Sequence, residues 1–140
     1  MSAPVQLTDD QRKHLDFIQS SIARMSSSST TVKGWGITVS MTAFGLAAAG
    51  AIPLVSVLGL TAMAFFGFLD CRYLREERLF RELYNDARQG LVETYSMDRS
   101  AYLGRCRWPA VVRSWSITSF YVPLALVGGA SLTWSLVQPV

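Results

Sequence analysis

Histidine and cysteine are scarce in this sequence of 140 residues, which has one of the former and two of the latter. It also lacks clustered metal ligands, a glycine-rich phosphate loop and the glycine-flanked serine of hydrolases. His14 lies beside apolar residues, where packing or capping is favoured over proton sensing. These absences argue against an enzyme, a metal site or a bound cofactor.

Charge is absent from two long stretches. Residues 34–69 form a run of 36 residues without Asp, Glu, Lys or Arg, and residues 114–140 form another of 27. Hydrophobic residues make up 50% of the chain. Cores of soluble domains rarely contain such runs, whereas a transmembrane helix needs about 20 apolar residues. The sequence therefore predicts an all-α integral membrane protein, a helical bundle with three transmembrane helices.

The first uncharged run is too long for one span but divides at a natural break. Gly50 suits the end of one helix, and Pro53 suits the first turn of the next. We expect spans at 34–51, 52–69 and 115–137, although the third run could instead be a buried or interfacial helix. Aromatic rings that settle at bilayer interfaces fall near these ends, at Trp35, Trp108, Trp115 and Trp134.

Lysine and arginine flank the apolar runs unevenly. Four precede residue 34, nine lie between residues 70 and 113, and the connection between the first two spans has none. The positive-inside rule predicts a multi-pass inner-membrane protein whose amino terminus and residues 70–113 lie in the cytoplasm. The two cysteines, which lie in residues 70–113, are therefore expected to stay reduced and to form no disulfide. No cleavable signal peptide is expected, and the basic residues do not form a patch typical of nucleic-acid binding.

The first cytoplasmic segment, residues 8–31, has the pattern of an amphipathic helix. Thr8 and Gln11 form a capping box, and an apolar stripe follows at Leu15, Ile18, Ile22 and Met25. The hydroxyl-rich residues 26–31 are either a flexible linker or part of one continuous helix whose hydroxyls bond back to the preceding turn. Packing on another helix is favoured over lying on the membrane.

The second cytoplasmic segment, residues 70–113, is expected to begin as a straight extension of the second span, because no helix breaker occurs before Gly90. Ion pairs at i,i+4 are predicted for Arg72 with Glu76, Glu77 with Arg81, and Arg78 with Glu82. An apolar face needs a partner, which is either the stripe on residues 15–25 or a soluble protein. It comprises Tyr73, Phe80, Leu83 and Tyr84.

Two sets of residues in the first span are candidates for assembly. Small residues at steps of three and four form a stripe for close helix packing, against the second span or a neighbouring subunit: Gly36, Ser40, Ala43, Ala47 and Gly50. Hydroxyls at Thr38, Ser40 and Thr42 are candidates for a pore lining, with Phe44 or Leu46 as a hydrophobic gate. Asp70 either lines the pore mouth or pairs with Lys33, Arg72 or Arg113.

Two stretches of the sequence look familiar together. One runs from His14-Leu15-Asp16-Phe17-Ile18-Gln19 to Lys33-Gly34-Trp35, and the other from Phe68-Leu69-Asp70 to Glu82-Leu83-Tyr84. They resemble a group of small bacterial membrane proteins. The hairpin with a long cytoplasmic helix is similar in layout to SLATT-type two-span proteins, which are proposed membrane effectors of nucleotide-sensing bacterial conflict systems.

This resemblance implies a bacterial inner-membrane protein that acts as a pore-forming or channel-like effector, with phage defence as the expected role. A three-span chain of this size is expected to form a homo-oligomer, and the lipid bilayer and a cytoplasmic protein are its other candidate partners. The alternative hypothesis is a non-conducting membrane anchor or scaffold that presents its cytoplasmic helices to a soluble partner.

Overall fold

The computed structural model describes residues 7–138, and its regular structure is helical throughout that part. The elements are α1 (Asp9–Gly50), α2 (Pro53–Arg88), a short 3₁₀ turn (Ser100–Tyr102), α3 (Trp108–Val112) and α4 (Trp115–Val137). The predicted all-α fold is confirmed. α1 and α2 form a long antiparallel hairpin, and α4 packs against both of them.

α1 is a single helix of 42 residues, about 63 Å long. Its start is the predicted capping box, in which Thr8 accepts a hydrogen bond from the Gln11 amide and the Gln11 side chain accepts one from the Thr8 amide. Residues 26–31 lie within the helix, so the linker alternative is wrong. Thr30 and Thr31 donate to the carbonyls four residues earlier, at 3.2 and 3.0 Å.

The hairpin turn falls at the predicted break. Ala51 closes α1 in the left-handed conformation, with φ of 51°, and Pro53 opens α2. The left-handed residue is thus Ala51, although the neighbouring Gly50 would adopt that conformation without steric cost. Two residues suffice to reverse the chain, which fixes the register of α1 against α2 from this end.

The bundle divides by composition into two parts. The apolar half comprises residues 34–69 and 115–137 and contains no charged residue; the charged half comprises residues 9–33 and 70–113. Both α1 and α2 continue from one half into the other without a break. The carboxyl end of α4 lies beside the hairpin turn, because the Ser135 hydroxyl donates to the Ala47 carbonyl at 3.1 Å.

The charged half has its own hydrophobic core. The stripe on α1 at Leu15, Ile18 and Ile22 packs against an apolar face of α2, and residues from the following loop complete the cluster. The remaining members are Leu79, Phe80, Leu83, Ala87, Tyr102 and Cys106. The two amphipathic faces therefore cover each other within one chain.

Residues 90–107 fold back over this core as an ordered loop. His14 Nε2 lies 2.8 Å from the Ser96 carbonyl, and the Tyr95 hydroxyl donates to Asp10 at 2.9 Å. The Tyr102 hydroxyl donates to Asp86, also at 2.9 Å. Burial, reinforced by the bond to Asp86, raises the pKa of Tyr102.

Acidic residues of α2 bind this loop more than they bind their own helix. The predicted pair of Glu77 with Arg81 is present, at 2.6 Å. The other two predicted i,i+4 pairs are wrong, because the acids bind arginines of the loop instead. Glu76 pairs with Arg99 at 2.6 Å, and Glu82 with Arg105 at 3.2 Å.

Candidate functional site

A buried polar cluster lies where the apolar and charged halves meet. Asp70 of α2 has no solvent exposure and receives two partners from α1. The Ser29 hydroxyl donates to Asp70 Oδ1 at 2.5 Å, and Lys33 Nζ lies 2.6 Å from Oδ2. Lys33 also donates to the Ser29 hydroxyl at 3.0 Å. We call Ser29, Lys33 and Asp70 the junction triad.

The junction triad joins α1 to α2 at one fixed register. Its carboxylate is fully buried, while the side chain of Lys33 keeps 18% of its surface exposed. Of the partners considered for Asp70, the structure selects Lys33. A buried carboxylate is stable only when a partner charge and hydrogen bonds replace its lost hydration, and the triad supplies both.

A second polar feature runs through the apolar half, where three serines from α2 and α4 line the helix contacts. Ser56 and Ser131 share a hydrogen bond at 3.0 Å, and the Ser131 and Ser135 hydroxyls also lie within bonding distance of carbonyls of α1. Ser40 of α1 is also fully buried. Sequence reasoning missed Ser56, Ser131 and Ser135. The available signal was helical spacing: Ser56 precedes Gly59 by three residues, Ser131 follows Gly128 by three, and Ser135 follows Ser131 by four.

Phe44 fills the space where α1, α2 and α4 come closest. Its side chain is 2% exposed and lies between two glycines of the other helices. A Cβ atom added at Gly59 would lie 2.7 Å from the Phe44 ring, and one added at Gly128 would lie 2.6 Å from it. The residue considered as a gate therefore packs inside a single chain, whereas Leu46, the other gate candidate, is exposed.

The predicted packing stripe of α1 faces inward. Gly36, Ser40 and Ala47 are buried, Ala43 is half-buried, and Gly50 is exposed at the helix end. Gly36 approaches α2 of the same chain, since a Cβ atom there would lie 3.1 Å from Phe66 Cβ.

The opposite face of α1 carries a second stripe of small residues, which the other described helices leave exposed. Thr38 and Thr42 lie on it, both exposed, and their hydroxyls donate to carbonyls one turn earlier at 2.9 and 2.8 Å. The structure thus does not bring Ser40 together with them. The outer stripe, as we call it, comprises Gly34, Thr38, Thr42, Gly45 and Ala49, which are all exposed.

Most large apolar side chains of the apolar half point outward, while most of its buried positions are small or polar residues, with Phe44, Ile117 and Leu124 as the large exceptions. Exposed examples from the three helices are Trp35, Met41, Leu54, Phe65, Leu126 and Leu136. Helices α2 and α4 are long and apolar enough to cross a membrane, and 22% of the residues in their most apolar stretches are buried. The core helix of a soluble protein would be mostly buried.

The face considered for a cytoplasmic partner is largely occupied. Phe80 and Leu83 lie in the core of the charged half, and Tyr84 is half-buried against that core. Tyr73 is half-buried outside the cluster. The apolar side chains that remain exposed in the charged half lie mainly on the loop instead. They include Leu91, Tyr95, Met97 and Leu103.

Neither cysteine is placed for redox or metal chemistry. Cys71 and Cys106 are free thiols, and both are buried. Burial raises the pKa of each thiol and so disfavours the reactive thiolate. Within residues 7–138 no group of three or more His, Cys, Asp or Glu side chains is arranged to hold a metal ion. Comparison with protein-family models, curated proteins and solved structures returned no match to this chain.

Proposed function

We propose that the chain crosses a bilayer three times, with the apolar half in the membrane and the charged half in the cytoplasm. The outward-facing apolar side chains support this placement, because lipid tails solvate them as well as a protein core does. Residues 34–50 of α1 run antiparallel beside α2, so they lie at the depth of the first α2 turns. Helices α2 and α4 qualify as membrane spans by their composition. We include α1 as the third span because of its position beside α2.

Charge at the two ends of the apolar half supports the orientation. Lys33, Arg72 and Arg113 lie close to its junction with the charged half, whereas the hairpin turn and the end of α4 carry no charge. Basic residues gather on the cytoplasmic side of inner-membrane proteins. The amino terminus is therefore cytoplasmic in this proposal, and the membrane is that of a bacterial cell.

We further propose that copies of the chain associate through α1 and form a pore. The outer stripe is the observation that carries this proposal, because intramolecular packing leaves it unused. Small residues repeated along a transmembrane helix let two backbones approach closely. α1 is also less apolar than α2 and α4, which are the two helices of the described residues apolar enough to qualify as membrane spans by composition alone. A helix of that composition suits a subunit interface or a water-filled path better than lipid.

In this proposal the cytoplasmic bundle receives a signal and the assembled α1 helices conduct ions. Thr38 and Thr42 would line the path near its middle, where hydroxyls replace part of the ion's hydration. Ion flux would depolarise the membrane. Such an activity fits an effector of bacterial defence, as the resemblance of the hairpin layout implies.

Replacing both Thr38 and Thr42 with valine should lower ion flux about tenfold in liposomes that contain the purified protein. The change removes the hydroxyls and keeps the side-chain shape, and tenfold corresponds to a barrier raised by roughly 1.4 kcal/mol. The matched control is Thr61→Val on α2, since Thr61 is exposed and its hydroxyl donates to the Val57 carbonyl at 2.9 Å. Equal flux in the two variants would contradict a pore lined by α1.

A second prediction concerns assembly. Gly45→Leu should shift the protein from oligomer to monomer on detergent-solubilised sizing columns, because a large side chain keeps two α1 helices apart. Gly129→Leu on α4 serves as the control, since neither position has a neighbour within 4 Å of an added Cβ atom. The pore proposal would be contradicted if the wild-type protein stays monomeric and shows no conductance, with or without cytosolic partners.

A non-conducting scaffold is the second candidate function. The exposed apolar residues of the loop favour it, because apolar groups on a surface that faces water commonly mark a protein contact. A soluble partner that co-purifies from the host in a fixed ratio, and that is lost in a Leu91→Ser, Leu103→Ser variant, would support this function. Ion flux that persists without that partner would argue against it.

A further inference from the structure

A cleft opens on the surface between α2, α3 and α4. It has a volume of about 300 Å³, and no charged side chain lines it. Its walls include Ala64, Gly67 and Cys71 of α2 and Ile117 and Tyr121 of α4. The lining residues of α2 extend from 63 to 71, which corresponds to about 12 Å along the helix axis. An elongated apolar groove of this kind fits a hydrocarbon chain better than a compact ligand.

The short helix α3 closes the cleft at its charged end. Trp108 and Val112, one turn apart on α3, are the lining residues there. The Trp108 ring stacks on Phe68, with the ring centroids 6.3 Å apart, and the Arg75 guanidinium lies 5.0 Å from its centroid on a cation–π contact. Aromatic rings and arginines in this combination are typical of the headgroup level of a bilayer.

Two basic residues flank α3, the helix that closes this end of the cleft, and neither is neutralised by an ion pair within residues 7–138. Arg107 immediately precedes Trp108, and Arg113 immediately follows Val112, so each is adjacent in sequence to a lining residue. Both are exposed. The nearby carboxylates are already engaged, Asp70 by Lys33 and Glu76 by Arg99.

We propose that the cleft is a binding site for one anionic phospholipid, with an acyl chain along α2 and the phosphate between Arg107 and Arg113. The groove between α2 and α4 is apolar, and the basic residues Arg107 and Arg113 flank α3 at its charged end. An acyl chain and its charged headgroup follow the same order along the membrane normal. Basic pockets between transmembrane helices on the cytoplasmic side select anionic headgroups by charge. The inference rests on the membrane placement proposed above and not on the pore.

Quenching of Trp108 by brominated lipids tests the site. The full chain carries Trp35→Phe, Trp115→Phe and Trp134→Phe, which change side chains that are 62%, 84% and 56% exposed and leave Trp108 as the only tryptophan. It is reconstituted in vesicles of phosphatidylcholine and phosphatidylglycerol, with bromine on the acyl chains of one lipid or the other. Phosphatidylglycerol should quench Trp108 more strongly than an equal fraction of brominated phosphatidylcholine. A matched protein that keeps only Trp134 should show no preference.

Two variants connect the preference to the cleft. Arg107→Gln and Arg113→Gln should each reduce the preference about fivefold, as expected for one basic group at an anionic surface. The control pair is Arg24→Gln and Arg88→Gln, which lie in the charged half away from the cleft. Ala64→Phe fills the groove from its exposed side and should abolish the preference, whereas Ala130→Phe on the exposed surface of α4 should not.

Equal quenching of Trp108 by the two lipids would overturn the site, and so would a preference that survives both the arginine changes and Ala64→Phe. The outcomes separate this inference from the function on which it rests. Protein that fails to float with the vesicles refutes the membrane placement itself. Protein that floats and conducts ions without lipid preference refutes the lipid site alone.

Discussion

Replacing Lys33 with methionine should lower the free energy of unfolding by about 3 to 5 kcal/mol, the usual effect of stranding one member of a buried ion pair. Asp70 would lose its partner charge and keep the hydrogen bond from the Ser29 hydroxyl, while its own side chain remains fully buried. Methionine is similar to lysine in length and flexibility, so the loss reports the charge and not a cavity. Denaturation of the purified protein in detergent micelles, followed by tryptophan fluorescence, measures it.

Replacing Asp70 instead of Lys33 should lower the free energy of unfolding by less. Asp70→Asn keeps an acceptor for Ser29, and the stranded Lys33, with 18% of its side chain already exposed, can extend its amino group towards water. The double variant should recover most of the loss caused by Lys33→Met, because neither charge then remains buried. As a control, Arg12→Met disrupts an exposed ion pair with Asp9, at 3.9 Å, and should change nothing measurable. Additive losses in the double variant would contradict a coupled triad.

The partner of Asp70 is a detail that the sequence contained but that sequence reasoning left open among three cations. Lys33 and Asp70 are equally distant along the chain from the turn at residues 51–52, and so are Phe44 and Gly59. In an antiparallel helix hairpin with a tight turn, positions equidistant from the turn lie at the same level. Once Pro53 is taken as the start of α2, this register selects Lys33 over Arg72 and Arg113.

Other features could be predicted because each depends on local chemistry. The capping box at Thr8, the turn before Pro53 and the apolar stripe from Leu15 to Ile22 all follow from residues a few positions apart. The loop at residues 90–107 could not be predicted, because it has no periodicity and its shape depends on Glu76 and Glu82 reaching partners more than 20 residues away.

The sequence alone could not show which of the two faces of α1 packs inside the chain. Both the inner stripe around Ser40 and the outer stripe around Thr38 consist of small residues at helical spacing, so composition does not distinguish them. What distinguishes them is the shape of the other helices, since Gly59 and Gly128 create space for Phe44 on one side only. Side-chain complementarity of this kind depends on three segments that are distant in sequence.

Disturbing the packing of Phe44 against these glycines should have the second large effect on stability. Gly128→Ala should lower the free energy of unfolding by about 1 to 3 kcal/mol, the usual range for an overpacked core. The new Cβ atom would lie 2.6 Å from both Phe44 Cζ and Leu60 Cδ2. The Phe44 ring has little room to retreat, because on its other side Gly59 leaves no space for a Cβ atom either. Equilibrium unfolding in micelles again provides the measurement.

Gly129→Ala is the matched control, since an added Cβ atom there meets nothing within 4 Å and alanine favours a helix over glycine. Phe44→Leu should be less harmful in the Gly128→Ala background than in the wild type, because the smaller side chain relieves the contact. The same comparison decides what Phe44 does. If Phe44 were a gate in a central pore, shortening its side chain would increase ion flux, and that increase would not depend on Gly128. If Phe44 is a packing residue, its effect on stability depends on the residue at position 128. The contacts of Phe44 within one chain favour the second outcome.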